Sequence, residues 1–204
     1  MIAMARKWIP WAMVCIRALL GPALALVAWR AAEPQLWLGA MIAAGFVSDV
    51  YDGILARRWG TETPALRVSD SAADIVFYLS ILVAVLLRHG PVIRERAWLL
   101  GAVLALEAGR FVFDWMKYGR MASYHSYVAK AWGVLLAVAM IALLCFDTAF
   151  WLVTAALVWG IVCEVEGLAM SLLLPEWTYN VKTLKKAFAL RRTMLAARQA
   201  TPVS

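Results

Sequence analysis

Long apolar stretches follow one another along most of this chain of 204 residues. Charged turns, or turns that contain Gly and Pro, separate six of them, which we place near residues 9–30, 36–56, 68–87, 97–116, 126–146 and 150–174. A helix of about 20 apolar residues matches the thickness of a bilayer. Lipid offers backbone groups no hydrogen-bond partner, so only helices and closed barrels span it, and we see no alternating barrel pattern. The sequence therefore predicts an all-α, polytopic integral membrane protein with six transmembrane helices.

The composition agrees with this prediction, since 64% of the residues are hydrophobic and 16% are charged. We expect one transmembrane domain, 1–180, followed by a basic tail, 181–204. Two interpretations of the tail stay open. It is either an interfacial helix drawn to anionic lipid or a solvated segment that only reinforces the topology. The expected partners are the bilayer and small molecules, not nucleic acid.

The distribution of charge predicts the orientation. Six spans leave both termini on one side of the membrane, where most of the 20 Lys and Arg residues then fall. The other side carries Arg30, Arg88, Arg94 and Arg96. Because basic residues accumulate in cytoplasmic loops, we expect both termini in the cytoplasm.

Two pairs of aspartates interrupt the apolar stretches. Asp49 and Asp52 lie in the second stretch, and Asp70 and Asp74 lie in the third. Carboxylates inside a membrane are costly and are functional candidates by default. Spacings of three and four residues put each pair on one face of its helix, and the short connection between the two helices lets the pairs converge.

Four converging carboxylates repel one another strongly unless cations neutralise them. Their hard oxygen atoms suit Mg²⁺ or Mn²⁺. Two such ions can stabilise the attacking and leaving oxygen atoms of phosphoryl transfer. The sequence therefore predicts a divalent-cation site, with two ions as one arrangement.

Three other interpretations are weaker. The acids can pair with Arg17, Arg110 or Lys130, but such pairs poorly explain four acids at these spacings with glycine and alanine between them. A cation-coupled transporter often has two similar halves, whereas the halves here differ and the acids lie together. A purely structural membrane subunit leaves the aspartates unexplained.

The run from Asp49 to Asp74 reads D-x2-D-G-x2-A-R-x12-D-x3-D. It resembles the signature of the CDP-alcohol phosphotransferases, D-x2-D-G-x2-A-R-x8-G-x3-D-x3-D. The second glycine of that signature falls at Leu66, where leucine blocks the backbone approach that glycine permits. The start of the first stretch, Ile9-Pro10 with Arg17 and Pro22, is also similar to the family's first helix.

The resemblance implies a class I, bacterial six-helix CDP-alcohol phosphatidyltransferase. Such an enzyme moves a phosphatidyl group from CDP-diacylglycerol to a small alcohol and releases CMP. By the same resemblance, the metal ligands would be Asp49, Asp52, Asp70 and Asp74, and they would hold two ions of Mg²⁺ or Mn²⁺. Asp74 would also act as the catalytic base.

The CDP-binding residues implied by the resemblance are Gly53, Ala56 and Arg57. The resemblance also implies a homodimer in a bacterial inner membrane, with its active site facing the cytoplasm.

Four basic residues of the fourth and fifth stretches are candidates for acceptor binding: Arg110, Lys117, Arg120 and Lys130. We expect them at the same cytoplasmic end as the aspartates. They favour a phosphorylated acceptor, with glycerol 3-phosphate first and inositol phosphate second, because Arg and Lys bind phosphate well. Two alternatives stay open: Glu107 and Asp114 neutralise Arg110 and Lys117, or the acceptor is an unphosphorylated alcohol.

Overall fold

The computed structural model describes residues 2–61, 63–122 and 124–200, without the side chains of 2–5, 7, 64, 67, 68, 71 and 197–200. Met1, Glu62 and Ser123 of the predicted domain 1–180 lie outside the described residues, as do residues 201–204 of the predicted tail. The described residues form seven α-helices: α1 Ile2–Arg30, α2 Gln35–Trp59, α3 Pro64–Glu95, α4 Ala97–Tyr118, α5 Tyr127–Phe146, α6 Phe150–Leu173 and α7 Leu184–Ala200.

Five of these helices, counted within the described residues, are long and apolar enough to cross a membrane: α1, α2, α3, α5 and α6. This confirms the prediction of an all-helical, polytopic membrane protein. The predicted sixth span, 97–116, coincides with α4, which has the required length at 22 residues. Three charged residues, Glu107, Arg110 and Asp114, interrupt α4, so it is not among the five helices that are apolar enough. A membrane crossing by α4 stays a prediction.

A short turn connects α2 to α3. α2 ends at Trp59 and is capped by Gly60, whose φ of 63° lies in the left-handed region that glycine adopts without strain. The hydroxyl of Thr63 then accepts a hydrogen bond of 3.1 Å from the Leu66 N–H, and Pro64 occupies the first helical position, where no N–H is needed. Both aspartate pairs lie within about three helical turns of this connection.

α3 continues beyond the predicted end of the third span at residue 87. It bends at His89, where φ is −135° and ψ is 38°. Pro91 follows two residues later, and proline cannot donate a backbone hydrogen bond to the preceding turn. The bend lies at the opposite end of α3 from Asp70 and Asp74.

The chain forms two compact units. The first contains Met1–Arg94 and Ala137–Phe150, and the second contains Glu95–Leu136 and Trp151–Ser204. The first unit therefore carries α1, α2, α3 and all four aspartates. The second carries α4, α6, the predicted acceptor residues and α7, which is the helical part of the predicted tail.

Candidate functional site

The four aspartates of the first unit surround one arginine. Arg17 lies on α1, and its side chain is 1% exposed. Its Nη1 lies 3.0 Å from Asp49 Oδ1 and 3.0 Å from Asp52 Oδ2, and its Nε lies 2.9 Å from Asp74 Oδ1. Its Nη2 pairs with Asp70. The structure thus brings together two aspartates from α2 and two from α3 on one guanidinium.

Two glycines allow α1 and α2 to approach α3 beside this cluster. A Cβ atom on Gly45, one turn before Asp49, would lie 2.1 Å from the Phe77 ring. A Cβ atom on Gly21, one turn after Arg17, would lie 3.0 Å from the Phe77 Cα. Small residues let membrane helices pack at such short range. These contacts set the positions from which the three helices present their charged side chains.

A small apolar cluster also joins the same three helices. Its buried members are Val14, Ala56, Leu66 and Ala73, and Trp11 and Ala18 pack against them. Leu66, which stands at the family's glycine position, is 6% exposed. Its side chain therefore contributes to the packing that holds α3 against α1 and α2.

Arg17 does not neutralise the aspartates completely. Among the described side chains, these four carboxylates and the Arg17 guanidinium together carry a formal charge of −3. They lie in a partly buried space, since the Asp52 side chain is 5% exposed and the other three are 31–35% exposed. Asp52 Oδ2 and Asp74 Oδ1 are buried, and each forms an ion pair with an Arg17 nitrogen without the alignment of a hydrogen bond. The ion-pair interpretation therefore explains Arg17, whose single positive charge offsets one of the four carboxylates.

Three of the carboxylates are close enough to ligate one cation. One oxygen atom from each of Asp49, Asp70 and Asp74 lies within 4.8 Å of the other two. Carboxylate oxygen atoms are the ligands that Mg²⁺ and Mn²⁺ prefer, and a cation lowers the repulsion between closely spaced carboxylates. These residues therefore fit a divalent metal ion. Since Arg17 contacts the same three carboxylates, the arginine and the ion would compete for their oxygen atoms.

The predicted CDP-binding residues follow Asp52 along α2. A Cβ atom on Gly53 would lie 3.3 Å from Nη1 of Arg57, so the Arg57 side chain folds back over the glycine. Arg57 is exposed, whereas Ala56 is buried in the apolar cluster. Arg57 is therefore the accessible member of the three, and their role in CDP binding stays a prediction.

Arg110, a predicted acceptor ligand, is held by acidic residues of the second unit. Its Nε donates a hydrogen bond of 2.6 Å to Glu164 Oε2, and its Nη1 lies 3.6 Å from Asp114 Oδ2. Its side chain crosses Gly167 of α6, where a Cβ atom would lie 3.0 Å from the Arg110 Cδ. Asp114 is fully buried and also accepts a hydrogen bond of 3.2 Å from the Ala122 N–H. Arg110 is thus paired with Asp114, as the neutralisation alternative expects, and with Glu164, which that alternative does not name.

The other three predicted acceptor ligands differ in their surroundings. Lys117 Nζ donates to the carbonyl oxygens of Ser171 at 2.6 Å and Leu172 at 3.3 Å, near the C-terminal end of α6, where carbonyls lack helical partners. The exposed Arg120 guanidinium stacks 4.6 Å from the centre of the Trp177 ring. Lys130 is exposed. Lys117 is exposed as well, but its ammonium group already donates to two backbone carbonyls, unlike the charged groups of Arg120 and Lys130.

The sequence does not predict that one arginine contacts all four aspartates. The sequence does mark Arg17 itself as a candidate, because a charged residue inside an apolar span is a functional candidate by default. No comparable signal identifies Glu164 as the partner of Arg110, or Glu166 as the acceptor of a 2.7 Å hydrogen bond from Ser126 Oγ. These pairs join residues 40 or more positions apart, so they depend on the tertiary fold.

Known proteins resemble this chain over most of its length. A family model described as CDP-alcohol phosphatidyltransferase matches residues 7–163, which include Arg17 and all four aspartates. Cardiolipin synthase (CMP-forming) of Streptomyces coelicolor is 32% identical over 126 residues, or 61% of this chain. The chain spans 57% of the length of that curated relative. No solved structure matches this chain.

Proposed function

This chain belongs to the CDP-alcohol phosphatidyltransferase family, and we propose that it transfers a phosphatidyl group from CDP-diacylglycerol to an alcohol and releases CMP. One observation carries the proposal. The aspartates of the family signature converge on one centre, where oxygen atoms of Asp49, Asp70 and Asp74 lie within 4.8 Å of one another. Carboxylates at this spacing suit a cation-assisted reaction of a pyrophosphate donor.

The proposed reaction is a substitution at phosphorus. Asp74 takes the proton of the acceptor hydroxyl, and the hydroxyl oxygen forms a bond to the phosphorus that carries diacylglycerol. The bond between this phosphorus and the oxygen it shares with the cytidine phosphate breaks, and CMP leaves with that oxygen. Asp74 suits the role of base because its carboxylate is partly exposed.

Asp49, Asp70 and Asp74 would hold the metal, with Asp52 as a further ligand. Two ions of Mg²⁺ or Mn²⁺, when bound, would neutralise the pyrophosphate and stabilise the attacking and leaving oxygen atoms. Arg17 keeps the four carboxylates together, since its guanidinium contacts each of them. Arg57, exposed on the same helix as Asp52, would bind a donor phosphate through charge-assisted hydrogen bonds.

Two classes of phosphate-bearing acceptor are compatible with the exposed Arg120 and Lys130. The first is a small phosphorylated alcohol, either glycerol 3-phosphate or, after it, inositol phosphate. The second is phosphatidylglycerol, which would yield cardiolipin, and similarity to the cardiolipin synthase of Streptomyces coelicolor favours it. Arg110 and Lys117 are already bound by other groups of the protein, which leaves fewer cations for the acceptor. This also favours phosphatidylglycerol, because its phosphodiester carries less negative charge than a phosphomonoester does.

We place the enzyme in a bacterial inner membrane, as a homodimer with both termini and the active site in the cytoplasm. The excess of basic residues on the side of the termini supports this orientation. Labelling of single cysteines at Arg6 and Trp98 in intact cells tests it. Reagents that do not cross the membrane should reach the second position and not the first.

The function is tested by CMP release from the purified protein in lipid nanodiscs with CDP-diacylglycerol and Mg²⁺ or Mn²⁺. The acceptors are glycerol 3-phosphate, phosphatidylglycerol and inositol phosphate, compared with glycerol, inositol, serine and choline. We expect turnover with a phosphate-bearing acceptor and none with EDTA. A folded protein that releases no CMP with any acceptor, but carries cations into sealed proteoliposomes, would establish a transporter instead.

The acceptor assignment has its own test. Arg120→Gln and Lys130→Gln should raise the acceptor KM and leave the donor KM nearly unchanged, because each removes an exposed cation. Arg110→Gln should instead lower the thermal stability, because it leaves Glu164 and Asp114 without their partner. Robust turnover with an unphosphorylated alcohol, together with normal kinetics of both exposed-cation variants, would contradict the assignment.

A further inference from the structure

One face of α7 is docked on the second unit. The buried residues of this contact are Ala122, Tyr124, Met170, Leu174, Val181 and Ala187, and Leu184, Leu190 and Met194 of α7 pack against them. The start of α7 is also fixed, because Thr183 Oγ1 accepts a hydrogen bond of 3.2 Å from the Lys186 N–H. Just before it, the Lys182 carbonyl accepts a hydrogen bond of 3.2 Å from the Tyr127 N–H. These contacts fix the orientation of α7, so the composition of its other faces is informative.

A second apolar stripe runs beside the docked face. It consists of Phe188 and Leu195, which are 53% and 40% exposed. The two residues lie seven positions apart and so share one side of the helix. Each follows a docked residue, Ala187 or Met194, by one position, which places the stripe about 100° around the helix from the docked face.

Basic residues border this stripe on α7. Lys185 and Arg192 each precede one stripe residue by three positions, Arg191 lies between the two stripe residues, and all three are exposed. The chain contains no Asp or Glu after Glu176, so no acidic side chain of this segment offsets their charge. The side of α7 away from the docked face carries Lys186, Ala189 and Thr193, which are exposed and mostly polar.

We propose that α7 lies in the surface of an anionic bilayer, with Phe188 and Leu195 inserted below the headgroups and Lys185, Arg191 and Arg192 bound to lipid phosphates. An apolar stripe bordered by Lys and Arg is typical of interfacial helices. Basic residues near a membrane are attracted to anionic lipid. The five candidate spans place the protein in a membrane, so α7 has a bilayer surface available to cover the stripe.

A second copy of the chain suits this surface less well. Two such stripes facing each other would bring together two sets of basic residues with no acid to offset them. Bound lipid, in contrast, supplies both acyl chains for the stripe and phosphates for its borders. The proposal concerns lipid binding alone and does not rest on the proposed reaction.

The test uses the full chain in nanodiscs of phosphatidylcholine alone or mixed with phosphatidylglycerol. After replacement of Cys15, Cys145 and Cys163, single cysteines are introduced as Phe188→Cys or, as the matched control, Thr193→Cys. Each carries an environment-sensitive fluorophore. We expect a blue shift and quenching by lipid-borne quenchers at position 188, larger with phosphatidylglycerol and reduced at high salt, and an aqueous spectrum at position 193.

Charge variants test the role of the basic border. Lys185→Gln with Arg192→Gln should abolish the additional blue shift at position 188 that phosphatidylglycerol causes, whereas Lys186→Gln should leave it unchanged. Equal exposure to water at positions 188 and 193 in both nanodiscs would overturn the proposal. A blue shift at position 188 that requires two copies per nanodisc and ignores lipid charge would overturn it as well, and would assign the stripe to a second copy.

Discussion

Replacing Arg17 by glutamine removes the guanidinium that Asp49, Asp52, Asp70 and Asp74 share and leaves all four carboxylates in place. Removing one partner of a buried ion pair destabilises a protein by about 3–5 kcal/mol. Three of these carboxylates are about one-third exposed and so remain partly hydrated. We therefore expect the lower end of the range, about 3 kcal/mol. For a protein of this size, that corresponds to a decrease in Tm of roughly 6–12 °C.

A divalent cation should offset part of this loss. In the Arg17→Gln variant the carboxylates have no arginine to share, so the ion binds them without competition. The rise in Tm on adding Mg²⁺ should therefore be larger in the variant than in the unsubstituted protein. Thermal unfolding in detergent micelles, followed by the fluorescence of the 11 tryptophans, measures both quantities.

The exposed Arg58 provides a matched control on α2, and Arg58→Gln should change neither Tm nor its response to Mg²⁺. An unchanged Tm of Arg17→Gln in EDTA would refute the idea that Arg17 stabilises the carboxylates. If Arg17→Gln lowers Tm by the same amount with and without Mg²⁺, the idea that the arginine and the cation bind the same oxygen atoms is refuted.

Three further substitutions test separate parts of the site. Asp74→Asn should lower CMP release by about 10²–10⁴-fold, as expected for a lost general base, with a smaller effect on donor binding; near-normal turnover would exclude Asp74 as the base. Leu66→Ala should lower the free energy of unfolding by about 2–5 kcal/mol because it removes a buried side chain, and an equal Tm would contradict its packing role. Gly45→Ala would place a Cβ atom 2.1 Å from the Phe77 ring, so it should lower Tm and also reduce the rise in Tm on adding Mg²⁺. Gly109→Ala, where a Cβ atom meets open space, is the matched control and should lower neither.

Much of the fold follows from local features of the sequence. The long apolar stretches require helices because lipid cannot satisfy backbone hydrogen bonds. The T-P start of α3 and the glycine after α2 specify where those helices begin and end. The convergence of the aspartates is also predictable, because short spacings fix one helix face and a short turn connects the two helices.

The contacts of the predicted acceptor residues do not follow from local features of the sequence. Helical spacing places Arg110 and Lys117 near acidic residues of α4, but it does not identify Glu164 or the carbonyls at the end of α6 as their partners. The same limit applies to α7. Its sequence leaves both an interfacial helix and a solvated tail open. The division of its apolar residues between a docked face and an exposed stripe depends on the surface on which the helix packs.

The sequence by itself determined the helical membrane architecture and the face on which each aspartate pair lies. Both follow from interactions between residues a few positions apart and from the solvent. The tertiary structure decided that Arg17 sits among the four aspartates, that Leu66 fills a packing space, and that Arg110 pairs with Glu164. These contacts join residues on different helices. They depend on how closely the helices approach, which positions such as Gly21, Gly45 and Gly167 allow and which no local pattern specifies.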